Sequence, residues 1–101
     1  MNVSANIESS VRRLFPDKSF EQALRSMLLE RAQKKLIKYQ TIARKYEEKY
    51  DTSFDEFRDY VLTSEPSVEE EQDYFDWELA FTGIADMEEE IEHLREEAQQ
   101  E

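Results

Sequence analysis

Hydrophobic residues recur with alternating three- and four-residue spacing along two long stretches of the chain. The first stretch runs from Leu29 to Tyr50 and the second from Trp77 to Ala98. This spacing places the residues of each stretch on one face of an α-helix. Two long helices with matching apolar faces are expected to pack on each other along a seam. The residues predicted to form this seam are Leu29, Leu36, Tyr39, Tyr46, Ile84, Met87, Ile91 and Leu94.

Three short sequences have the form of a capping box, which marks the start of a helix. Each places a serine three residues before a glutamine or glutamate, so that both side chains can bond to backbone N–H groups of the first turn. They occupy residues 19–22, 53–56 and 67–70. The predicted elements are an N-terminal arm with a short helix over 1–18, a long basic helix over 19–50, a short connecting helix over 53–62 and a long acidic helix over 67–98.

The predicted fold is all-α, with one domain over residues 1–101. It is an antiparallel hairpin of two long helices with short connecting and N-terminal helices. Leu28, Ile37 and Ile42 lie outside the seam and would stay partly exposed in a single hairpin, so we predict a homodimer that forms a four-helix bundle. Gly83 falls within the last helix, where glycine costs about 1 kcal/mol relative to alanine, and a close helix crossing is expected there.

The composition agrees with long helices, and the sequence also predicts where in the cell the protein is found. Hydrophobic residues make up 39% of the chain and charged residues 38%, and one Gly and two Pro leave few positions for tight turns. The absence of Cys excludes disulfides and thiolate metal sites. The N-terminus has no apolar region typical of a signal peptide, and no apolar run is long enough to span a membrane. We therefore expect a cytoplasmic protein without membrane contact.

Charge is distributed unevenly between the two halves of the chain. Residues 1–50 carry eleven Lys and Arg against six Asp and Glu, whereas residues 51–101 carry two against nineteen. The basic helix and the acidic helix could neutralise each other within the hairpin. The acidic surplus is larger than the basic one, however, so a basic partner would also fit. Binding of nucleic acid is not expected, because the whole chain is acidic and would repel phosphates.

The stretch over residues 73–81 holds four aromatic residues, among them the only Trp, in a half that is otherwise mostly acidic. Tyr74, Phe75 and Phe81 fall off the seam, so the helix is apolar nearly all round at this point and one neighbouring helix cannot cover it. Two interpretations follow. The shorter helices of the same chain could cap a wide end of the core, or the rings could anchor a partner, since Trp and Tyr often dominate interface energetics.

No combination of residues typical of catalysis is present. Without Cys, and with a single His in an exposed setting, the chain lacks a nucleophile paired with a base. One Gly excludes a phosphate-cradling loop. Glu90 and His93 have the Glu-x-x-His spacing of di-iron bundles, but the register turns His93 outward. We predict no enzymatic activity, no cofactor and no metal.

Two segments on either side of the connection resemble a known group of proteins. They are Ala-Arg-Lys-Tyr-Glu-Glu-Lys-Tyr-Asp-Thr-Ser-Phe-Asp-Glu-Phe over 43–57 and Glu-Gln-Asp-Tyr-Phe-Asp-Trp-Glu over 71–78. This pattern is similar to that of small helical antitoxins of prokaryotic toxin–antitoxin pairs, the TumA-like kind, and the resemblance covers roughly Leu24 to Leu94. Asp51-Thr52 departs from it, because Gly-Met is expected there, which would alter the local turn.

The resemblance implies a function as an antitoxin that binds and neutralises a small, basic toxin. Many such toxins act on RNA or nucleotides and carry basic clefts, which an acidic helix with an aromatic anchor could occupy. From the residues themselves we expect the partner-binding surface to comprise the rings of Tyr74, Phe75, Trp77 and Phe81 and the carboxylates of Asp73, Asp76, Glu69, Glu70 and Glu71.

Three other functions are compatible with the sequence. The chain could be a structural or scaffolding dimer built as a helical bundle. It could be a small metal-binding bundle that uses Glu90 and His93. It could also be an inhibitor whose acidic helices mimic nucleic acid.

Overall fold

The computed structural model describes residues 3–99, and all regular secondary structure in this range is α-helical. The all-α class is therefore confirmed. Each of the last three helices begins and ends within one residue of its predicted range. The four helices are α1 (Ala5–Leu14), α2 (Phe20–Tyr50), α3 (Phe54–Thr63) and α4 (Val68–Gln99).

Reciprocal capping boxes begin both long helices, as the sequence predicted. At the start of α2 the Ser19 hydroxyl accepts from the Gln22 backbone N–H at 3.1 Å, and the Gln22 amide oxygen accepts from the Ser19 N–H at 2.9 Å. Ser67 and Glu70 form the same pair at the start of α4, at 3.1 and 2.8 Å. These bonds satisfy backbone donors that a helix start otherwise leaves without partners.

The turn between α2 and α3 contains only one of the two hydrogen bonds of the capping box predicted at residues 53–56. Asp51 ends α2 in the left-handed conformation, with φ 49° and ψ 48°. The Ser53 hydroxyl accepts from the Glu56 backbone N–H at 3.2 Å, but the Glu56 carboxylate accepts from the Thr52 hydroxyl at 2.6 Å. The capping box of α3 is therefore formed on one side, and the Glu56 carboxylate bonds to the Thr52 hydroxyl.

The two long helices lie antiparallel, so the predicted hairpin is present. Lys49 near the end of α2 contacts Asp73 near the start of α4, and Tyr39 packs against Gly83 further along both helices. The close crossing predicted at Gly83 is therefore confirmed. The molecule is elongated, with dimensions of 58 × 27 × 23 Å.

Burial along the seam is uneven. Tyr46, Ile91 and Leu94 are buried. The other predicted seam residues are half-buried, and they are Leu29, Leu36, Tyr39, Ile84 and Met87. Ile42 is half-buried against the core, whereas Leu28 and Ile37 are exposed. The homodimer stays a prediction, because a single chain leaves these two side chains uncovered and does not show what covers them.

The core is widest where α3 packs on α4 beside the end of α2. Its buried residues are Ala43, Tyr46, Phe54, Phe57, Tyr74 and Trp77. At the other end of the hairpin α1 packs on α2 and buries Val11. The short helices thus cover parts of the long helices that the hairpin alone would leave exposed.

Candidate partner-binding surface

Trp77 lies at the centre of the aromatic core and has no exposed surface. Its ring meets Phe54 edge-on at 5.5 Å between centroids, and Phe57 lies 5.4 Å away. The ring of Tyr46 on α2 stacks on it at 5.9 Å. Trp77 is therefore held by rings from α2 and α3 of its own chain. Such aromatic pairs contribute beyond the area they bury.

Tyr74 is also part of this core, with 7% of its surface exposed. Its ring stacks nearly parallel to Phe54 at 5.8 Å, and its hydroxyl donates to the Glu78 carboxylate at 2.7 Å. That hydrogen bond, and then burial, raise the pKa of the Tyr74 phenol. Trp77 and Tyr74 were expected to bind a partner. That expectation requires correction, because side chains covered by α3 cannot contact a partner while the fold is kept.

Phe75 and Phe81 differ from the two buried rings, being 64% and 50% exposed. They point in different directions. Phe81 stacks on Phe54 at 4.5 Å beside the start of α3, whereas Phe75 lies on the face of α4 that also exposes Val68 and Leu79. Of the four rings expected to anchor a partner, two remain accessible, and they do not share one surface.

The acidic residues that face α2 are bound within the chain. Asp73 accepts from the Lys49 ammonium at 2.6 Å and from the Tyr50 hydroxyl at 2.5 Å. Asp76 accepts from the Tyr46 hydroxyl at 2.6 Å. Burial raises the pKa of the Asp73 carboxyl, but the bonds from Lys49 and Tyr50 outweigh it and the pKa is lowered overall. These contacts favour the interpretation that the two long helices partly neutralise each other.

The remaining acidic residues expected at the surface lie in the first turn of α4. Glu69 pairs with Lys49 at 2.8 Å. Glu70 accepts from the Ser67 N–H and from the Tyr60 hydroxyl, the latter at 3.1 Å. The Ser67 backbone bond is the main reason why the pKa of Glu70 is lowered. Glu71 is exposed, and its carboxylate forms no hydrogen bond or ion pair within residues 3–99, so it is the one carboxylate of the five predicted acids that is unengaged there.

A groove that the sequence did not reveal lies where α2 ends, α3 begins and the middle of α4 passes. Its volume is about 810 Å³. Apolar side chains line it and are called its floor, four exposed carboxylates are called its rim, and Thr52 and Ser53 complete the lining. The apolar residues are Ala43, Phe54, Trp77, Phe81, Ile84 and Ala85, and the acidic ones are Glu47, Asp51, Asp55 and Glu88. Two residues of this set, Trp77 and Phe81, were predicted as partner residues. The others were not, because the groove is formed by three helices and no local pattern indicates it.

Glu90 and His93, the residues considered for a metal site, are exposed on α4. Among the residues that the structure describes, no three His, Asp or Glu side chains are grouped so that they could hold a metal ion. In the same part of the chain, no helix combines the length and the apolar character that a membrane span needs.

Comparison with protein-family models, with curated proteins and with solved structures finds no match to this chain. The resemblance to TumA-like antitoxins therefore stays a hypothesis, which rests on the residues of segments 43–57 and 71–78.

Proposed function

We propose that this protein is a non-enzymatic, antitoxin-like binding protein that neutralises a small basic protein toxin through the acidic surface of α3 and α4. The partner is a protein rather than a nucleic acid or a membrane. Encounter is steered by the negative charge of this surface, and the complex is held by exposed aromatic side chains beside it.

The acidic surplus of α3 and α4 carries this proposal. Among residues 3–99, the two ion pairs between α2 and α4 both use Lys49, which reaches Glu69 and Asp73. Two other cations of α2 have contacts within their own helix. Lys34 pairs with Glu30, and Lys45 lies 5.0 Å from the ring centre of Tyr46. Most of the eighteen acidic residues between positions 51 and 99 thus remain available to a basic surface.

The experiment is co-expression with the product of the adjacent gene, where that gene encodes a short basic protein. We expect the neighbour to arrest growth when expressed alone, and this protein to restore growth and to co-purify with it. The affinity of the complex should fall steeply as salt is added, because steering charges on an open surface are screened. An unrelated acidic helical protein of similar charge serves as the control and should not restore growth.

A neighbour that is not toxic, or that forms no complex, would contradict the antitoxin proposal. The scaffolding-dimer alternative would then be favoured by one observation, the group of exposed hydrophobic side chains at the start of α2. These are Phe20, Leu24, Met27 and Leu28. Apolar groups of this kind often mark contacts between protein chains.

A further inference from the structure

The groove between α2, α3 and α4 exists because α3 is much shorter than the helix on which it packs. α3 begins at Phe54, whose ring reaches Trp77 and Phe81. α4 continues past Phe81 to Gln99, and among residues 3–99 no third helix covers Ile84 and Ala85. The apolar face of α4 thus extends beyond the core and lines an open groove. An amphipathic helix laid into such a groove is a common mode of peptide recognition.

The acidic residues around the groove are unengaged, unlike those that face α2. The carboxylates of Glu47, Asp51, Asp55 and Glu88 form no hydrogen bond or ion pair within residues 3–99, and no Lys or Arg of this range lines the groove. Asp73, by contrast, is bonded to Lys49 and Tyr50. An apolar floor ringed by unpaired carboxylates is complementary to one kind of ligand, a segment that presents an apolar side chain between cationic ones.

We propose that this groove is the docking site for a basic, amphipathic helical segment of a partner protein, with a bulky apolar side chain packed against Phe81 and with lysines or arginines on the acidic rim. The proposal deepens the antitoxin-like function and rests on it for the identity of the partner. Phe81 then replaces Trp77 as the ring that the partner touches, and Glu47, Asp51, Asp55 and Glu88 join the residues that steer it.

The acidic rim and the Phe81 ring should affect different rate constants, the rim that of association and the ring that of dissociation. The rim carboxylates are open to solvent, so each contributes little to the final affinity but together they raise the association rate. Phe81 is half-exposed and already stacked on Phe54, so it offers a pre-ordered surface whose burial should slow dissociation. Removing rim charges should therefore lower the association rate and its salt dependence, whereas removing the ring should raise the dissociation rate.

The test uses the full chain and a synthetic helical peptide of lysine and leucine, arranged so that the leucines form one face. A peptide with serine in place of leucine keeps the charge and loses the apolar face. Trp77 is the only tryptophan and borders the groove, so its fluorescence reports occupation of this site. We expect the leucine peptide to change this fluorescence and to bind at least about tenfold more tightly than the serine peptide.

Matched variants locate the peptide on the protein. Phe81→Ala and the double variant Asp51→Asn with Asp55→Asn should each weaken binding by about tenfold. Phe20→Ala removes an exposed ring at the start of α2, outside the groove. Glu8→Gln with Glu21→Gln removes the same number of exposed charges, away from α3 and α4. Both controls should stay within about twofold of the unmodified protein. Ala85→Phe fills the groove without changing charge and should also weaken binding, and circular dichroism shows whether each variant is folded.

Equal weakening in the groove variants and in their controls would overturn the proposal, because binding would then follow net charge. Retained binding in Ala85→Phe would overturn it as well. If the peptide instead competes with self-association of the chain, the occupant is a second copy and the basic partner is wrong. The proposed function is tested separately: growth rescue that survives in the groove variants refutes the groove alone, whereas peptide binding without growth rescue refutes the antitoxin role alone.

Discussion

Gly83 on α4 and Tyr39 on α2 fit together so closely that no side chain could be added between them. A Cβ atom built on Gly83 would lie 2.6 Å from two atoms of the Tyr39 ring and 2.8 Å from a third. Atoms at these distances overlap, and the contact involves the body of a ring rather than the end of a flexible chain. The glycine is therefore needed for the helix crossing, although it weakens the helix itself.

Gly83→Ala is expected to lower the free energy of unfolding by about 1–3 kcal/mol, because the overlap with Tyr39 outweighs the gain in helix propensity. Chemical denaturation followed by circular dichroism measures this change. In a Tyr39→Ala background the same substitution should become stabilising by up to about 1 kcal/mol, since the ring is gone and only propensity remains. A destabilisation that is equal in both backgrounds would show that the two residues are not coupled.

Trp77→Ala is expected to lower the free energy of unfolding by about 3–5 kcal/mol, because it removes a fully buried ring from contact with Tyr46, Phe54 and Phe57. Phe75→Ala is the matched control, since its ring is mostly exposed and its loss should change stability by less than about 0.5 kcal/mol. Thermal or urea denaturation of the two variants tests both values. A large loss in Phe75→Ala together with a small one in Trp77→Ala would reverse the assignment of core and surface.

Stability is expected to fall in alkaline solution because of the tyrosines that bond to α4. Burial, and then the hydrogen bond to Asp73, raise the pKa of Tyr50 from 10.0 to about 12. The neutral phenol is favoured in the folded chain, so its contribution to stability is complete below about pH 10 and is lost as the pH rises towards about 12. The pKa of Tyr46 is raised as well, by burial and then by its bond to Asp76, and acts in the same direction.

Melting temperatures measured across this alkaline range test the effect, with tyrosine ionisation followed by ultraviolet absorbance. Tyr50→Phe should melt lower than the unmodified protein at neutral pH and lose less on going to high pH. Tyr39→Phe is the control, because the Tyr39 hydroxyl forms no hydrogen bond within residues 3–99. A Tyr50→Phe profile parallel to that of the unmodified protein would exclude Tyr50 as the titrating group.

Asp51→Gly is expected to raise the free energy of unfolding by about 0.5–1 kcal/mol. Asp51 has a left-handed backbone conformation, which glycine adopts without a steric penalty and which commonly ends a helix. The same substitution at Asp55, inside the first turn of α3, should instead destabilise by about 1 kcal/mol. Thermal denaturation of both variants provides the comparison, and a loss of stability in Asp51→Gly would contradict the backbone argument.

Self-association remains predicted from the exposed hydrophobic residues of α2. If a four-helix bundle forms, sedimentation equilibrium should give twice the mass of the chain. Leu28→Glu should then convert the dimer to a monomer, because a charge would be buried without a partner. Leu62→Glu is the control, since Leu62 is at least as exposed but lies on α3 at the other end of the hairpin. A monomeric unmodified protein at micromolar concentration would refute the dimer.

Much of the fold could be predicted because its signals are local. Ser19 and Gln22 begin a helix through contacts within one turn, and a spacing of three and four residues places side chains on one face of any α-helix. These rules gave the four helices and the all-α class. They also gave the crossing at Gly83, since a glycine inside a helix costs stability unless another helix needs the space.

The candidate site could be predicted only in part, because it depends on how the helices meet. Spacing placed Trp77 and Tyr74 in a helix with too much apolar surface for one neighbour, and it could not tell whether α3 or a partner covered them. The structure shows that α3 covers them, because the ring of Phe54 packs against Tyr74, Trp77 and Phe81. The pairing of Tyr46 with Asp76 and of Tyr50 with Asp73 likewise depends on the register of α2 against α4.

The sequence by itself thus determined which segments are helical, where they begin and end, and that the second half carries a surplus of negative charge. The tertiary structure alone decided which rings are buried, which carboxylates are already bound and where an apolar groove stays open. The physical reason is the range of the interactions. Backbone hydrogen bonds and caps join residues within one or two turns, whereas burial depends on side chains that are distant in the chain and meet only when the helices pack.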